Sequence, residues 1–400
     1  MMKHIKLLST IVLLGLLCIV TACNQTPKAN NTTVSGTQIS NTTASNNADD
    51  DRMDNENTEE ETSTQENDNE AYPEFEVIFR PEFDETIYPS LIFGFTEIEK
   101  LQKHDFNYFT IWVNTPKKTN LRFVIQESTM NFETVINKRG VIGEGIFVPT
   151  IKWKYEELKK LSQPGYVDIT FICYNEDTGR EIGRENLKLR YRAINECVIA
   201  AVLDDELLSL HFMVAAYVNE DSQIVDEFLA EVLRNTPGLQ FVGYQADENY
   251  VVTQVEAVFN TLRKKGVKYS SITATSNTQN PYLMSQYIRF SDEVLKNSQA
   301  NCADGTAFLC SVLKKIGIRP VMIFVPGHVY LGYYLNDRKT QFWVLETTLI
   351  GSNLTFHEAS AYQVADYEAN YAKMMDPDPF NGYLYIEIDE ARSMIKPIGR

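Results

Sequence analysis

The apolar residues of this chain follow three rhythms, and each predicts a different kind of structure. Between residues 73 and 192, short runs rich in Val, Ile, Phe and Tyr recur: FEVIFR, NYFTIWV, LRFVIQES, GIFVPTIKW, YVDITFICYN and ENLKLRYRA. Polar clusters such as TPKKTN, KRGVIGEG and NEDTGREIG separate them, so the runs read as strands and the clusters as turns. Six such strands with alternating faces predict an all-β domain, a sandwich that is Ig-like in the loose sense. Gly140, Gly143 and Gly145 form a glycine cluster with no strand-then-helix setting around it. It predicts a hairpin turn rather than a dinucleotide loop.

From about residue 193 the period lengthens. SQIVDEFLAEVLRNTPG and ENYVVTQVEAVFNTLRKKG carry apolar residues at helical spacing. In the second, Val251, Val255, Val258, Phe259 and Leu262 share one face, and Gly266 stands where a helix C-cap belongs. A strand-like KYSSITA follows, then QYIRFSDEVLKNSQ. Helices first and strands after predict an α+β domain over 193–400.

Before residue 73 there is no period at all. Residues 24–72 are Asn, Thr, Ser and acid, a composition that cannot bury enough apolar surface to fold and predicts a disordered acidic tether. Of the chain's net charge of −17, this segment holds −9, and residues 73–400 hold −10 against +2 before the tether. Half of the acidity is thus solvation of a leash, and no basic stripe exists for nucleic acid. Residues 1–23 read as a signal: Lys3 and Lys6, then the apolar LLSTIVLLGLLCIV, too short for a comfortable membrane span. Val20-Thr21-Ala22-Cys23 resembles a bacterial lipobox. The resemblance implies export, cleavage before Cys23 and a lipid anchor on its sulfur, on the outer face of a cell membrane.

Candidate chemistry concentrates in NCADGTAFLCSVLKKIGIRPVMIFVPGH, residues 301–328. Asn301 is a good N-cap, Asp304 lies in the first turn, Lys314 and Lys315 in the last, and Gly317 then Pro320 close it. These signals predict a helix over 302–316. Cys302 is then its first residue, facing unpaired backbone N–H groups and the positive end of the dipole, which stabilise thiolate over thiol. Cys310, eight residues on among Phe308, Leu309, Val312 and Leu313, reads as core and lies too far away to bridge Cys302. His328 opens the next predicted strand, HVYLGYYL, which turns at Asn336-Asp337-Arg338 and returns as TQFWVLETT. His328 and Glu346 are equidistant from Asp337, so a tight hairpin sets them directly opposite on one face. A carboxylate there holds the imidazole's tautomer and leaves its other nitrogen for Cys302.

A Cys at a helix start, a His on a strand and an acid on the next strand resemble the transglutaminase-like, papain-like core, over roughly residues 245–352. QYIRFSDEVLKNSQANCADGT, IGIRPVMIFVPGHVYLGYY and WVLETT are similar to a group of bacterial transglutaminase-domain proteins, with Glu346 where transglutaminases usually carry Asp. The resemblance implies thiol acyl transfer on amides, with Cys302 as nucleophile, His328 as base and acid and Glu346 as orienter. It requires no cofactor, and its expected partner is a peptide or protein substrate, such as a cell-envelope peptide. An oxyanion donor is also needed. Gln286, sixteen residues before the Cys, is the first candidate and Tyr269 the second, each with a structural role as the alternative. The competing functional reading is a non-catalytic surface binding protein that keeps the fold as scaffold. No paired His or Cys–His spacing suggests a metal. Cys173 and Cys197 are either a disulfide or two buried thiols.

Overall fold

The computed structural model describes residues 72–95, 107–203, 206–270, 283–376 and 381–399. The signal, Cys23, the tether through residue 71 and His104 lie outside the described residues. The β-rich part begins with β1 (Glu74–Phe79) and β2 (Thr86–Ile87), then a short helix α1 (Pro89–Phe95). It continues through β3 (Phe109–Ile125), β4 (Thr134–Phe147), the single turn α2 (Tyr155–Leu158), β5 (Gly165–Asn175) and β6 (Glu181–Tyr191). Hydrogen bonding joins all six strands into one sheet, in the order β1-β3-β5-β6-β2, with β4 also on β3. The long β3 makes this possible. Its first half pairs with β1, its second half with β5, and β4 follows both.

Two of the expected turns are absent, and for one reason. TPKKTN does not separate two strands; it lies within β3, where Pro116, Lys117 and Lys118 bulge into solvent while Thr115 and Thr119 stay paired to β4. KRGVIGEG lies opposite, inside β4. Gly140 (φ +66°) and Gly143 (φ +68°) take the left-handed backbone that the facing bulge demands, which a residue with a Cβ adopts at a cost. Asn120 locks the bend by accepting the Gly140 N–H at 2.9 Å. The glycine cluster is therefore a mid-strand bulge and not a hairpin turn.

The second part opens with β7 (Glu196–Leu203) and β8 (Glu206–Ser209). Helices α3 (Gln223–Asn235) and α4 (Glu248–Lys264) follow. Asp247 caps α4 by accepting from the Tyr250 N–H, and Gly266 at φ +74° ends it, as its sequence predicts. Next come β9 (Lys268–Tyr269), β10 (Leu283–Tyr287), α5 (Ser291–Asn297), β11 (Gln299–Ala300) and α6 (Cys302–Lys315). The chain closes with β12 (Pro320–Val325), β13 (His328–Tyr334), β14 (Phe342–Leu345), α7 (Phe356–Met374), β15 (Leu384–Glu387) and α8 (Ile388–Ala391). The architecture is α+β. The β10-β7-β8 sheet has no counterpart in the sequence reading, because ECVIAAVL lacks the turn signals that mark the other strands.

The antiparallel sheet β14-β13-β12-β15 positions the candidate site. Alternation along β13 sends Val329, Leu331 and Tyr333 into a core shared with Phe308, Leu309, Val312 and Leu313 of α6. His328, Tyr330 and Tyr334 fall on the opposite face, where Tyr330, Tyr334 and Val344 pack with Val364 and Tyr367 of α7. Burying each large apolar side chain of this kind stabilises the fold by about 1.5–3 kcal/mol. One apolar core runs from Val77 to Ile398 through both parts of the chain.

Candidate active site

The mouth of α6 is built by reciprocal capping. Asn301 Oδ1 accepts the Asp304 N–H at 2.7 Å, and Asp304 Oδ2 accepts the Asn301 N–H at 3.0 Å. Asp304 is fully buried, and a buried carboxylate needs a cation and donors. Arg289 supplies both: its Nη1 lies 2.5 Å from Oδ2 and its backbone N–H 2.7 Å from Oδ1. Burial pushes the Asp304 carboxyl up; the N–H groups of Asn301 and Arg289 and the guanidinium pull it back only in part, so it stays above the ordinary aspartate value. Cys302 is the first residue of this helix and is 6% exposed. Cys310 is fully buried, and burial alone pushes its thiol far above the usual range.

His328 and Glu346 meet. His328 Nε2 lies 2.7 Å from Glu346 Oε2, with the carboxylate only 2% exposed. The contact arises from a register different from the expected one. β13 pairs with β14 as Leu331↔Leu345 and Gly332↔Val344, centred on residue 338 rather than Asp337. The shift is two residues, so Glu346 keeps its face and reaches His328 diagonally. Glu346 sits just beyond β14, as the cap of the short turn Thr347–Leu349. Its second oxygen accepts from the Thr348 N–H at 2.8 Å and from Thr348 Oγ1 at 2.5 Å. Burial pushes this carboxyl up, but the bond and charge of His328 and the Thr348 donors outweigh it, and the carboxyl titrates below the ordinary glutamate value.

The same turn touches α6. Thr306 Oγ1 is 3.2 Å from Thr347 Oγ1, and the Thr347 side chain also packs beside Gly305, 3.5 Å from where a Cβ there would stand, an ordinary contact distance. The turn that Glu346 caps is thereby tied to α6.

Beside His328 and Glu346 opens a cavity of about 500 Å³, lined also by Tyr269, Val325, Thr348, Leu349, Tyr362, Gln363 and Asp366. Tyr269, a candidate oxyanion donor, is therefore on the cavity wall, and its strand pairs with Ala300, two residues before Cys302. Gln286, the other candidate, lies on β10 opposite Cys197. Its amide donates to the Tyr287 carbonyl at 2.9 Å, which also accepts Asn301 Nδ2 at 3.4 Å, so Gln286 is linked to the helix cap rather than to the His328–Glu346 pair. Thr348, Gln363 and Asp366 are absent from the sequence reading. Only Thr348 carries a signal, as a hydroxyl two residues after a capping carboxylate.

The remaining histidines differ from His328. His211 is buried, hydrogen-bonded through Nδ1 to Ser209 Oγ at 2.8 Å, and burial lowers its pKa to about 4. His357 lies exposed on the first turn of α7, 3.8 Å from Glu256. Cys173 and Cys197 are separate buried thiols, so no disulfide joins them. Among the described residues, no group of three or more His, Cys, Asp or Glu side chains could hold a metal ion. No described helix is long and apolar enough to cross a membrane. No family model, curated protein or solved structure matches the chain.

Proposed function

We propose that the chain is an exported, membrane-tethered thiol acyl transferase acting on amides, with a transglutaminase-like core and the β-rich part as a sandwich-like presenting module. The observation that carries this reading is the His328–Glu346 bond on a buried carboxylate at the edge of a cavity. A carboxylate on Nε2 fixes the tautomer and leaves Nδ1 for the thiol. Cys302, at the capped mouth of α6, is the nucleophile. Its proton passes to His328 and its sulfur forms a bond to the amide carbonyl carbon. The C–N bond then breaks, and His328 returns the proton to the departing amine. Water or a second amine attacks the resulting thioester, giving hydrolysis or transamidation, and restores the thiol. The N–H groups at the helix mouth are the donors proposed for the oxyanion, with Tyr269 on the cavity wall as the side-chain candidate.

Iodoacetamide labelling followed by peptide mapping tests the assignment. Near pH 7 Cys302 is expected to react at least tenfold faster than Cys310, and His328→Ala is expected to suppress that difference. A Cys302 that reacts only on unfolding, or no faster than Cys310, overturns it. That outcome would favour the second reading, in which the fold is a scaffold for surface binding, a reading the 6% exposure of Cys302 supports.

A further inference from the structure

The outer face of the β-rich sheet has two ends, and the chain covers only one of them with its own side chains. Where β3 pairs with β5 and β5 with β6, outward rings lie under cations: Arg122 stands 4.6 Å over Tyr174 and Lys188 5.4 Å over Tyr166. At the other end β3 pairs with β1 and β4, and among the described residues no cation stands over the outward ring there, Trp112. The registers Glu76↔Trp112↔Ile146 and Glu74↔Asn114↔Glu144 set these six side chains beside one another, on the face away from the core residues Phe109, Ile111 and Val113. Ile78 lies diagonal to Trp112 on the same face.

This end combines apolar exposure with unbalanced charge. Ile146 is 70% exposed, Ile142 65% and Ile78 42%. Single exposed apolar side chains are ordinary, but a group of them around one indole is a patch. Glu74, Glu76 and Glu144 stand around it, all exposed. Asn114 Nδ2 donates to Glu74 at 3.4 Å, and among the described residues no Lys, Arg or His forms an ion pair with any of the three. The sheet's ion pairs belong to its other strands and turns, as with Arg184–Glu181 and Arg190–Asp84. Acid around an apolar centre selects a partner by sign. Two copies meeting through this face would set carboxylate against carboxylate, and an anionic membrane or a nucleic acid meets the same repulsion.

We propose that this face docks a polypeptide partner whose contact surface carries Lys or Arg beside apolar side chains. The partner's apolar groups seat on Trp112 and Ile146. Its cations reach Glu76, directly across from Trp112, and Glu144, two residues along the strand from Ile146. A Trp inside a charged rim is where an interface concentrates its affinity, while the rim charges set partner choice and association rate. Acyl transfer is not required for this docking, because Cys302, His328 and Glu346 belong to other elements.

Calorimetric titration of the full chain at low salt tests this with three peptides. They are Ac-Lys-Leu-Lys-Leu-Lys-amide, its acidic counterpart Ac-Glu-Leu-Glu-Leu-Glu-amide and the leucine-free Ac-Lys-Ser-Lys-Ser-Lys-amide. The lysine–leucine peptide is expected to bind at least tenfold more tightly than either of the others. The double variant Glu76→Gln, Glu144→Gln should weaken it by about tenfold. Both chains keep the acidic segment 24–72, so its attraction for cationic peptides cancels in that comparison. Trp112→Ser should remove the advantage over the serine peptide, and Ile146→Ser, at a far more exposed position that makes no demand on the fold, should reduce it severalfold. Tyr166→Ser, at the covered end, should change neither preference. Equal affinity for acidic and basic peptides overturns the proposal. So does a serine peptide that binds as tightly as the leucine one, or binding that the Glu76→Gln, Glu144→Gln variant leaves unchanged.

Discussion

The two parts of the chain bury different chemistry. Among the described residues from 73 to 191, the buried polar side chains are Thr86, Ser90, Thr115, Thr119, Asn131 and Thr134, all uncharged. From 192 onward, three carboxylates are buried, and each has its own partner: Glu196 with Arg192, Asp304 with Arg289 and Glu346 with His328. Removing an ion from water costs several kcal/mol, so a buried charge persists only with excellent geometry and saturated hydrogen bonding. Fold stability does not require such groups, as the β-rich part demonstrates. Two of the three are next to the candidate site, one under Cys302 and one behind His328.

The contrast sets an order of effects. The largest is on activity: Cys302→Ser is expected to abolish amide turnover, and His328→Ala to lower it by about 10²–10⁴-fold, measured as kcat/KM with a peptide-amide substrate. Asp304→Ala comes next. It removes the buried carboxylate that holds Arg289 at 12% exposure, and urea unfolding should register a loss of about 3–5 kcal/mol. Thr119→Val, a buried polar change in the β-rich part, should cost only about 1 kcal/mol in the same assay. Similar losses for the two would erase the distinction between the halves.

Acid should separate the two carboxylates by sign. Glu346 titrates below its unfolded value, so its contribution is complete above the ordinary glutamate range and is lost as pH falls through its own lowered value. Asp304 titrates above its unfolded value, so its contribution is complete at low pH and is lost as pH rises through the raised value. Glu346→Gln is therefore expected to flatten the loss of stability on acidification, and Asp304→Asn to steepen it, in unfolding midpoints measured from pH 6 to pH 3. The smallest effect belongs to the surface. Arg184→Ala, which removes an exposed partner of Glu181 on β6, should leave the unfolding midpoint unchanged.

Much of the site's framework was legible because its signals are local. The helix at 302, its Asn301 cap and the core position of Cys310 follow from caps and period, and so does the pairing of faces between His328 and Glu346. The hairpin was misjudged by two residues because its turn centre is set by φ, with Lys339 at +57°, and that does not show in composition. The β3 bulge was misread because Pro116 and paired glycines look the same in a turn and in a distorted strand. Asp366 and Gln363 could not be found at all. On a helix, polar residues at those positions are indistinguishable from an ordinary solvated face until the fold shows which wall they form.

The contacts that shape the candidate site are close in sequence: 15 residues separate Arg289 from Asp304, 18 separate His328 from Glu346 and 41 separate Thr306 from Thr347. Closing short loops costs little entropy, so such contacts form early and repay quickly during folding. The three ties beneath Cys302 and behind His328 consequently fall within a stretch of about sixty residues. An insertion at a surface turn of the β-rich sheet should leave it assembled, because none of those three ties crosses into that sheet.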